Sequence, residues 1–265
     1  MPRVKVDDVN IYYEVKGQGD PLIMVMGLAG NVDWWDPRMI SDLSKYFKLI
    51  LFDNRGAGRS DMGQKPFSIK LFADDTAGLM NALGIPKANV LGFSMGGMIA
   101  QELVLNYPEK VKKLILCSTF CGTKRGILPP PQPFPIDDLE ANPRRAAEFM
   151  AWTIFTEEFI RNNPQAFEGM VQRILKAPIS KKAFLQQFYA IMQFDTYDRL
   201  PQIRVPTLII HGKKDILLPV ENASILASTI PNAKLIILEN SGHGLAEEMD
   251  ELITSIINFL RNSAH

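Results

Sequence analysis

The chain is predicted to be an α/β protein, with a mostly parallel central sheet covered by helices on both faces and a helical segment inserted late in the sheet. Three observations carry this prediction. Short runs that are apolar on both faces recur along the chain and alternate with amphipathic helical patterns, as expected for strands buried on both sides. One run leads into Gly92-Phe93-Ser94-Met95-Gly96, a glycine-flanked serine followed at once by a helical pattern. Between Thr119 and Leu200 the strand-like runs stop, and helical segments replace them. With 265 residues and 46% hydrophobic composition, the chain is long enough for one large domain with a substantial core.

Taken in order, Val4–Val6 and Ile11–Val15 read as a strand pair, and Leu22–Met26 and Leu49–Phe52 as the next two strands. Val90–Phe93 is a short buried strand. Met98, Ile99, Leu103 and Val104 then recur at helical spacing, with Pro108 as the stop signal. Leu114–Cys117 reads as another strand. The block that follows holds a proline-rich stretch, Leu128–Pro135, and helical segments at Arg144–Phe159, Gln165–Leu175 and Lys181–Phe194. Strands resume near Val205 as Leu208–Ile210 and Leu235–Leu238, before an amphipathic helix carrying Leu245, Met249, Leu252, Ile253, Ile256 and Ile257. Residues 1–118 and 201–265 are therefore expected to form the core domain. Residues 119–200 are expected to form a cap over the strand ends, where open α/β sheets bind ligands.

A serine on a sharp strand-to-helix turn is forced out above the sheet, and glycines two residues to either side leave room for the backbone and an approaching substrate. The competing reading is a glycine-rich turn whose serine hydroxyl caps the next helix. The partners decide between them. A serine hydroxyl is almost wholly protonated at neutral pH and needs a base, and the chain has three histidines. His265 is the last residue, where no role is expected. His211 ends the run Thr207–Ile210 and reads as a packed or hydrogen-bonded histidine. His243, in the loop Asn240-Ser241-Gly242-His243-Gly244 beyond the last strand, can reach a neighbouring strand's nucleophile and is the predicted general base. The carboxylate that would hold its tautomer is predicted to be Asp215. Asp198 and Asp250 fall in helical surroundings suited to solvated carboxylates, and Glu239 is the fallback.

With Ser94, Asp215 and His243 in that chain order, the sequence resembles the α/β-hydrolase superfamily, in its small single-domain form with a helical cap. The resemblance spans nearly the whole chain. Asp53-Asn54-Arg55-Gly56-Ala57-Gly58-Arg59-Ser60 is similar to the D-x-R-G-x-G-x-S segment that follows an early strand in these proteins, and Gly27-Leu28 resembles their oxyanion loop. Many relatives carry His-Gly there, whereas this chain has Met26-Gly27 and so lacks a polar contact to the loop. The resemblance implies oxyanion donors from the backbone amides of Leu28 and Met95. The nearest look is to carboxylesterases and 3-oxoadipate enol-lactonase-like hydrolases, with cofactor-free haloperoxidase-like proteins close by. Carbon–carbon bond hydrolases are the runner-up, because their glycine-rich oxyanion loop is not evident in Leu28-Ala29-Gly30-Asn31. Relatives that open epoxides or displace halide place an aspartate at the nucleophile position, so Ser94 argues against those activities. A small-molecule receptor on the same fold is the alternative of another class, and the presence of all three triad residues weighs against it.

The cap block is rich in phenylalanine and methionine, most of which are expected to form its own core and its seam with the main domain. Trp152 and Tyr189, with Trp34, Trp35, Phe93 and the oxyanion residues Leu28 and Met95, are expected to line an apolar acyl or alcohol pocket. The expected partner is a small-molecule ester or lactone. Gly56–Asp61 lacks the third glycine of a dinucleotide fingerprint, so no nicotinamide cofactor, and no other cofactor, is expected. The 29 basic and 29 acidic residues cancel, which leaves no footprint for nucleic acid or anionic membrane. Cys117 and Cys121 have no metal-ligand set around them; both are expected to be reduced, and no metal is expected. No apolar signal core follows Met1 and no run reaches transmembrane length, so a cytoplasmic monomer or small homo-oligomer is the expectation.

Overall fold

The computed structural model describes residues 2–130 and 133–262; the expectations for His265 and for Pro131 and Gln132 of the proline-rich stretch lie outside them. Among the described residues, β1 (Arg3–Val6), β2 (Val9–Lys16), β3 (Asp20–Val25), β4 (Phe47–Phe52), β5 (Ala88–Phe93), β6 (Val111–Cys117), β7 (Thr207–Gly212) and β8 (Lys234–Leu238) form one sheet. Its spatial order is β1-β2-β4-β3-β5-β6-β7-β8. β2 runs antiparallel to both β1 and β4, and every pairing from β4 through β8 is parallel. Each expected strand is present.

The side chains of the parallel strands divide cleanly between two apolar cores. Ile23, Val25, Ile50 and Phe52 pack on one face with α2 (Ile69–Ala82, after α1 at Pro37–Leu43) and α3 (Met95–Asn106). Leu22, Met24, Leu49 and Leu51 point to the other face, beneath α1 and α10 (Met249–Arg261). Period-two alternation in strands apolar on both sides is what makes a sheet sandwiched between helices.

Between β6 and β7 lie α4 (Asp138–Ala141), α5 (Pro143–Ile154), α6 (Glu157–Asn162), α7 (Pro164–Leu175) and α8 (Lys181–Met192); α9 (Glu221–Thr229) separates β7 from β8. This block has its own apolar cluster, centred on Ala147, Met150, Ala151, Val171 and Ile174. The expected single helix Arg144–Phe159 is two helices. Phe155 turns extended, and the Thr156 hydroxyl then accepts from Phe159 N at 3.2 Å as a new N-cap. The last helix starts later than expected as well. Leu245 adopts a left-handed φ of 57° and a short 3-10 turn, Ala246–Glu248, precedes α10.

Candidate active site

Ser94 sits where β5 ends and α3 begins, at φ 56° and ψ −121°. A non-glycine residue in this region is strained, and the surroundings hold it there. Its N–H still donates to Cys117 O in the sheet at 2.9 Å, and its carbonyl accepts from Gly97 N and Thr119 Oγ1, both at 2.8 Å. The flanking glycines are required by close approach: a Cβ on Gly92 would collide with the Gly96 carbonyl, and one on Gly96 with the Val25 carbonyl. The Ser94 hydroxyl makes no capping bond to α3, which removes the helix-cap reading.

His243 is 4% exposed, and its Nδ1 lies 2.8 Å from Asp215 Oδ2. With a carboxylate on Nδ1 the proton belongs there, leaving Nε2 free to accept one. The Ser118 hydroxyl donates to the His243 carbonyl at 2.8 Å, and the Phe93 ring packs against the imidazole at 5.1 Å between centroids. The loop on either side is laced by two glutamates. Glu247 accepts from Gly242 N and Thr156 N, and Glu248 from Asn240 N and Ser241 Oγ.

Asp215 is buried, and its Oδ1 accepts from Leu217 N at 2.8 Å and Leu218 N at 2.9 Å. Burial by itself would raise its pKa, but the charge of His243 and the hydrogen bonds from His211 and His243 overcome this and hold the carboxyl well below the usual range. The other carboxylates point away. Glu239 pairs with exposed Lys213, Asp250 with Arg38 and Asp198 with Lys124, all at the surface.

His211 is drawn into the same cluster. Fully buried, it places Nε2 at 2.9 Å from Leu218 O and 3.2 Å from Asp215 Oδ2. Both neighbours are acceptors, so Nε2 carries the proton and His211 is a second donor to the carboxylate. The sequence reading of a hydrogen-bonded histidine foresaw a partner but not which one.

The loop after β3 lies directly against the serine: a Cβ on Gly27 would be 3.0 Å from Ser94 Cβ. Gly30 N donates to Gly27 O at 3.2 Å, Asn54 Nδ2 to Met26 O at 2.9 Å, and Ala29 N to Gln187 Oε1 at 2.9 Å. These bonds fix the loop without the histidine that many relatives carry, and the Met26 side chain is buried against Gly30. The amides of Leu28 in this loop and Met95 at the start of α3 donate to no backbone acceptor among the described residues. Asn54 and Gln187 were not singled out from the sequence; the first lies inside the D-x-R-G-x-G-x-S segment, while the second carries no local signal.

That segment is a structural clamp. Asp53, fully buried, accepts from Val32 N and Arg59 N, each at 2.7 Å. Arg55 forms a bidentate pair with Asp75 at 2.8 Å for both bonds and reaches Asp8 at 2.9 Å.

Ser94 and His243 open onto one cavity of about 570 Å³, between the strand ends and the helical block. Trp34, Phe93 and Leu28 line it. Trp35, Trp152, Tyr189 and Met95 do not. Trp35 faces a smaller neighbouring cavity, Met95 packs into the main core, and Tyr189 is 59% exposed. On α5 the lining positions are Phe149, Met150, Thr153 and Ile154, and on α8 Phe184, Leu185, Phe188, Ile191 and Met192. Trp152 and Tyr189 lie off those faces by helical phase. Cys117 and Cys121 are free and buried, with burial pushing their thiols up to about 12 and about 11. No helix among the described residues is long and apolar enough to cross a membrane.

Residues 20–249 match the family described as the alpha/beta hydrolase fold. The chain is similar to a protein of Azorhizobium caulinodans designated a carbamate hydrolase, at 28% identity over 97% of each chain. It is also similar to 3-oxoadipate enol-lactonase 2 of Acinetobacter baylyi, at 29% identity over 88% of this chain and 86% of the relative. Among solved structures it superimposes on an esterase from Exiguobacterium antarcticum with a TM-score of 0.84 and 27% identity, covering 98% and 99% of the two chains. With the sheet order, the serine at the end of β5 and the family match over most of its length, this chain belongs to the α/β-hydrolase family.

Proposed function

We propose that the protein hydrolyses carboxylic esters or lactones through an acyl-enzyme on Ser94. The observation that carries this is the convergence of Ser94, on its strained turn, and a buried His243–Asp215 pair on the wall of one cavity. In the proposed cycle Ser94 Oγ attacks the substrate carbonyl while His243 Nε2 takes its proton. Asp215 keeps the imidazole in that tautomer and stabilises the imidazolium. The amides of Leu28 and Met95 receive the oxyanion, each donor contributing about 3 kcal/mol of transition-state stabilisation. His243 returns the proton to the leaving alcohol, then activates a water that attacks the acyl-enzyme and regenerates Ser94. The helical block acts as a cap over this chemistry, and no cofactor takes part. The esterase and enol-lactonase among its relatives support ester or lactone bonds as the target.

The test is initial rates on 4-nitrophenyl esters of increasing acyl length and on several lactones, with Ser94→Ala as control. Serine-dependent turnover is expected, with the variant reduced by at least about 10⁴-fold. Turnover confined to lactones would assign the lactonase activity. A folded protein inert on the whole panel would sink the proposal and favour carbon–carbon hydrolysis or a receptor.

A further inference from the structure

The cavity beside Ser94 differs from an ordinary mixed pocket in its charge. Among the described residues that line its volume of about 570 Å³, none is an aspartate, glutamate, lysine or arginine. Pro131 and Gln132, outside the described residues but next in sequence to the lining residue Pro130, carry no charge either. Its polar side chains are few. Ser94 and His243 belong to the chemistry, and Thr153 spends its hydroxyl on Met150 O of its own helix at 2.7 Å. The Trp34 indole N–H, buried without a partner among the described residues, is a neutral donor. Arg173 is a cation of the smaller neighbouring cavity, which shares Trp34, Phe93 and Met26 with this one.

We infer that the substrate is an ester or lactone whose acyl and alcohol parts are both uncharged and largely apolar, and that a free carboxylate on either part excludes it. This rests on the hydrolase reading above and narrows it. The physical reason is desolvation. A carboxylate held away from the proposed oxyanion amides would give up much of its water there and find no cation and, of neutral donors, only the Trp34 N–H, and a buried ion without a charged partner is costly. It would also stand near a second negative charge, the oxyanion that forms on attack. Alkyl and aryl groups, by contrast, gain from burial against Phe134, Phe149, Phe184, Phe188 and Met192. Lactones that keep a free carboxylate, as an adipate-derived lactone does, fall outside this class.

Three compounds with the same leaving group test it: 4-nitrophenyl hexanoate, the mono-4-nitrophenyl ester of adipic acid, and the methyl ester of that monoester. At pH 7.5 the two neutral compounds are expected to have kcat/KM values within about tenfold of each other. The acid is expected to fall at least about 100-fold below both. An acid turned over within a few-fold of hexanoate would overturn the inference; loss of that turnover in Arg173→Met would then identify the cation responsible. Met192→Arg, on the cavity wall and 40% exposed, is expected to narrow the gap by placing a guanidinium where none stands.

Binding separates this inference from the hydrolase reading on which it rests. Calorimetry with Ser94→Ala is expected to show the neutral pair binding and the acid not binding. If the wild type turned over none of the three while that selectivity held, the hydrolase reading would fail and the charge exclusion would stand. Equal binding of all three would overturn the exclusion.

Discussion

Asp215 shows how much of this site is decided by single side chains. Its Oδ1 is fixed by the amides of Leu217 and Leu218, and its Oδ2 is shared between His243 Nδ1 and His211 Nε2. Because the folded pKa lies below the ordinary carboxylate value of about 3.9, the ionised group contributes stability that is fully present above that value. The contribution is lost only as pH falls through the folded value. Asp215→Asn removes it, so the variant's urea midpoint, followed by circular dichroism, is expected to fall less steeply with pH below 4 than that of the wild type. The same change removes the anion that stabilises the imidazolium, and kcat is expected to fall by about 10⁴-fold. His211 is a positioning residue that acts through this carboxylate. Titratable and charged groups around it are Asp215 and His243 inside, with the Lys213–Glu239 and Lys214–Glu158 pairs outside. His211→Phe takes one N–H donor away from Asp215 and leaves more of its negative charge directed at His243. The acidic limb of the kcat/KM profile is then expected to move to higher pH. His211→Gln, which keeps an N–H close to the same place, is expected to stay near the wild-type profile. A His211→Phe profile superimposed on the wild type's would make the contact structural only.

At the scale of elements, buried pairing rather than exposed charge is what holds the loops that present the site. Arg55 and Asp75 tie the loop after β4 to α2 with neither side chain more than 4% exposed. Asp75→Ala would strand a buried guanidinium, and a loss of about 3–5 kcal/mol in urea unfolding is expected. A loss below about 1 kcal/mol would mean that Asp8 alone satisfies Arg55. The strands were all legible in the sequence because runs such as Leu22–Met26 and Leu49–Phe52 are apolar on both faces and have few other uses. The serine turn was legible because its glycines answer to close backbone approach, which leaves a fixed spacing. The helical block was legible as helices but not as faces. Several of its aromatics stack on one another, as Phe134 does on Phe184 at 4.5 Å, so apolar periodicity does not separate the inner core of the block from the cavity wall. Trp152 and Tyr189 fell on the wrong side of that division, and Phe149 and Phe188 took the places assigned to them. The break at Phe155 also escaped notice, because Thr156 as a cap competes with an uninterrupted apolar pattern.

Across the whole molecule, the helical block is stitched to the rest of the chain by hydrogen bonds on several sides. Asn31 Nδ2 donates to Ala177 O at 2.9 Å, Gly244 N to Ile154 O at 2.8 Å, and Thr196 Oγ1 to Gln101 Oε1 at 2.7 Å. Gln187 of α8 is the most consequential of these stitches, because it is fully buried and bridges two site loops. It accepts from Ala29 N, one residue beyond the proposed oxyanion donor Leu28, and donates to Arg55 O at 3.2 Å. Its contacts are 158 and 132 residues away in sequence, which is why no local pattern announced it. Block and sheet sharing such bonds should unfold together. Tryptophan fluorescence, with Trp152 in the block and Trp34 and Trp35 outside it, is therefore expected to report the same urea midpoint as far-UV circular dichroism. Gln187→Leu keeps the volume but leaves the Ala29 amide and the Arg55 carbonyl unpaired, at a cost of about 1–3 kcal/mol each. The loop carrying Leu28 then loses the nearer of its two anchors to the helical block, keeping only the Asn31–Ala177 bond, while Ser94, His243 and Asp215 keep theirs. The variant is expected to lower kcat by about 10- to 100-fold, with covalent labelling of Ser94 by a fluorophosphonate slowed in proportion. A variant that is destabilised but turns over at the wild-type kcat would show that Gln187 only joins the two parts and does not shape the oxyanion loop.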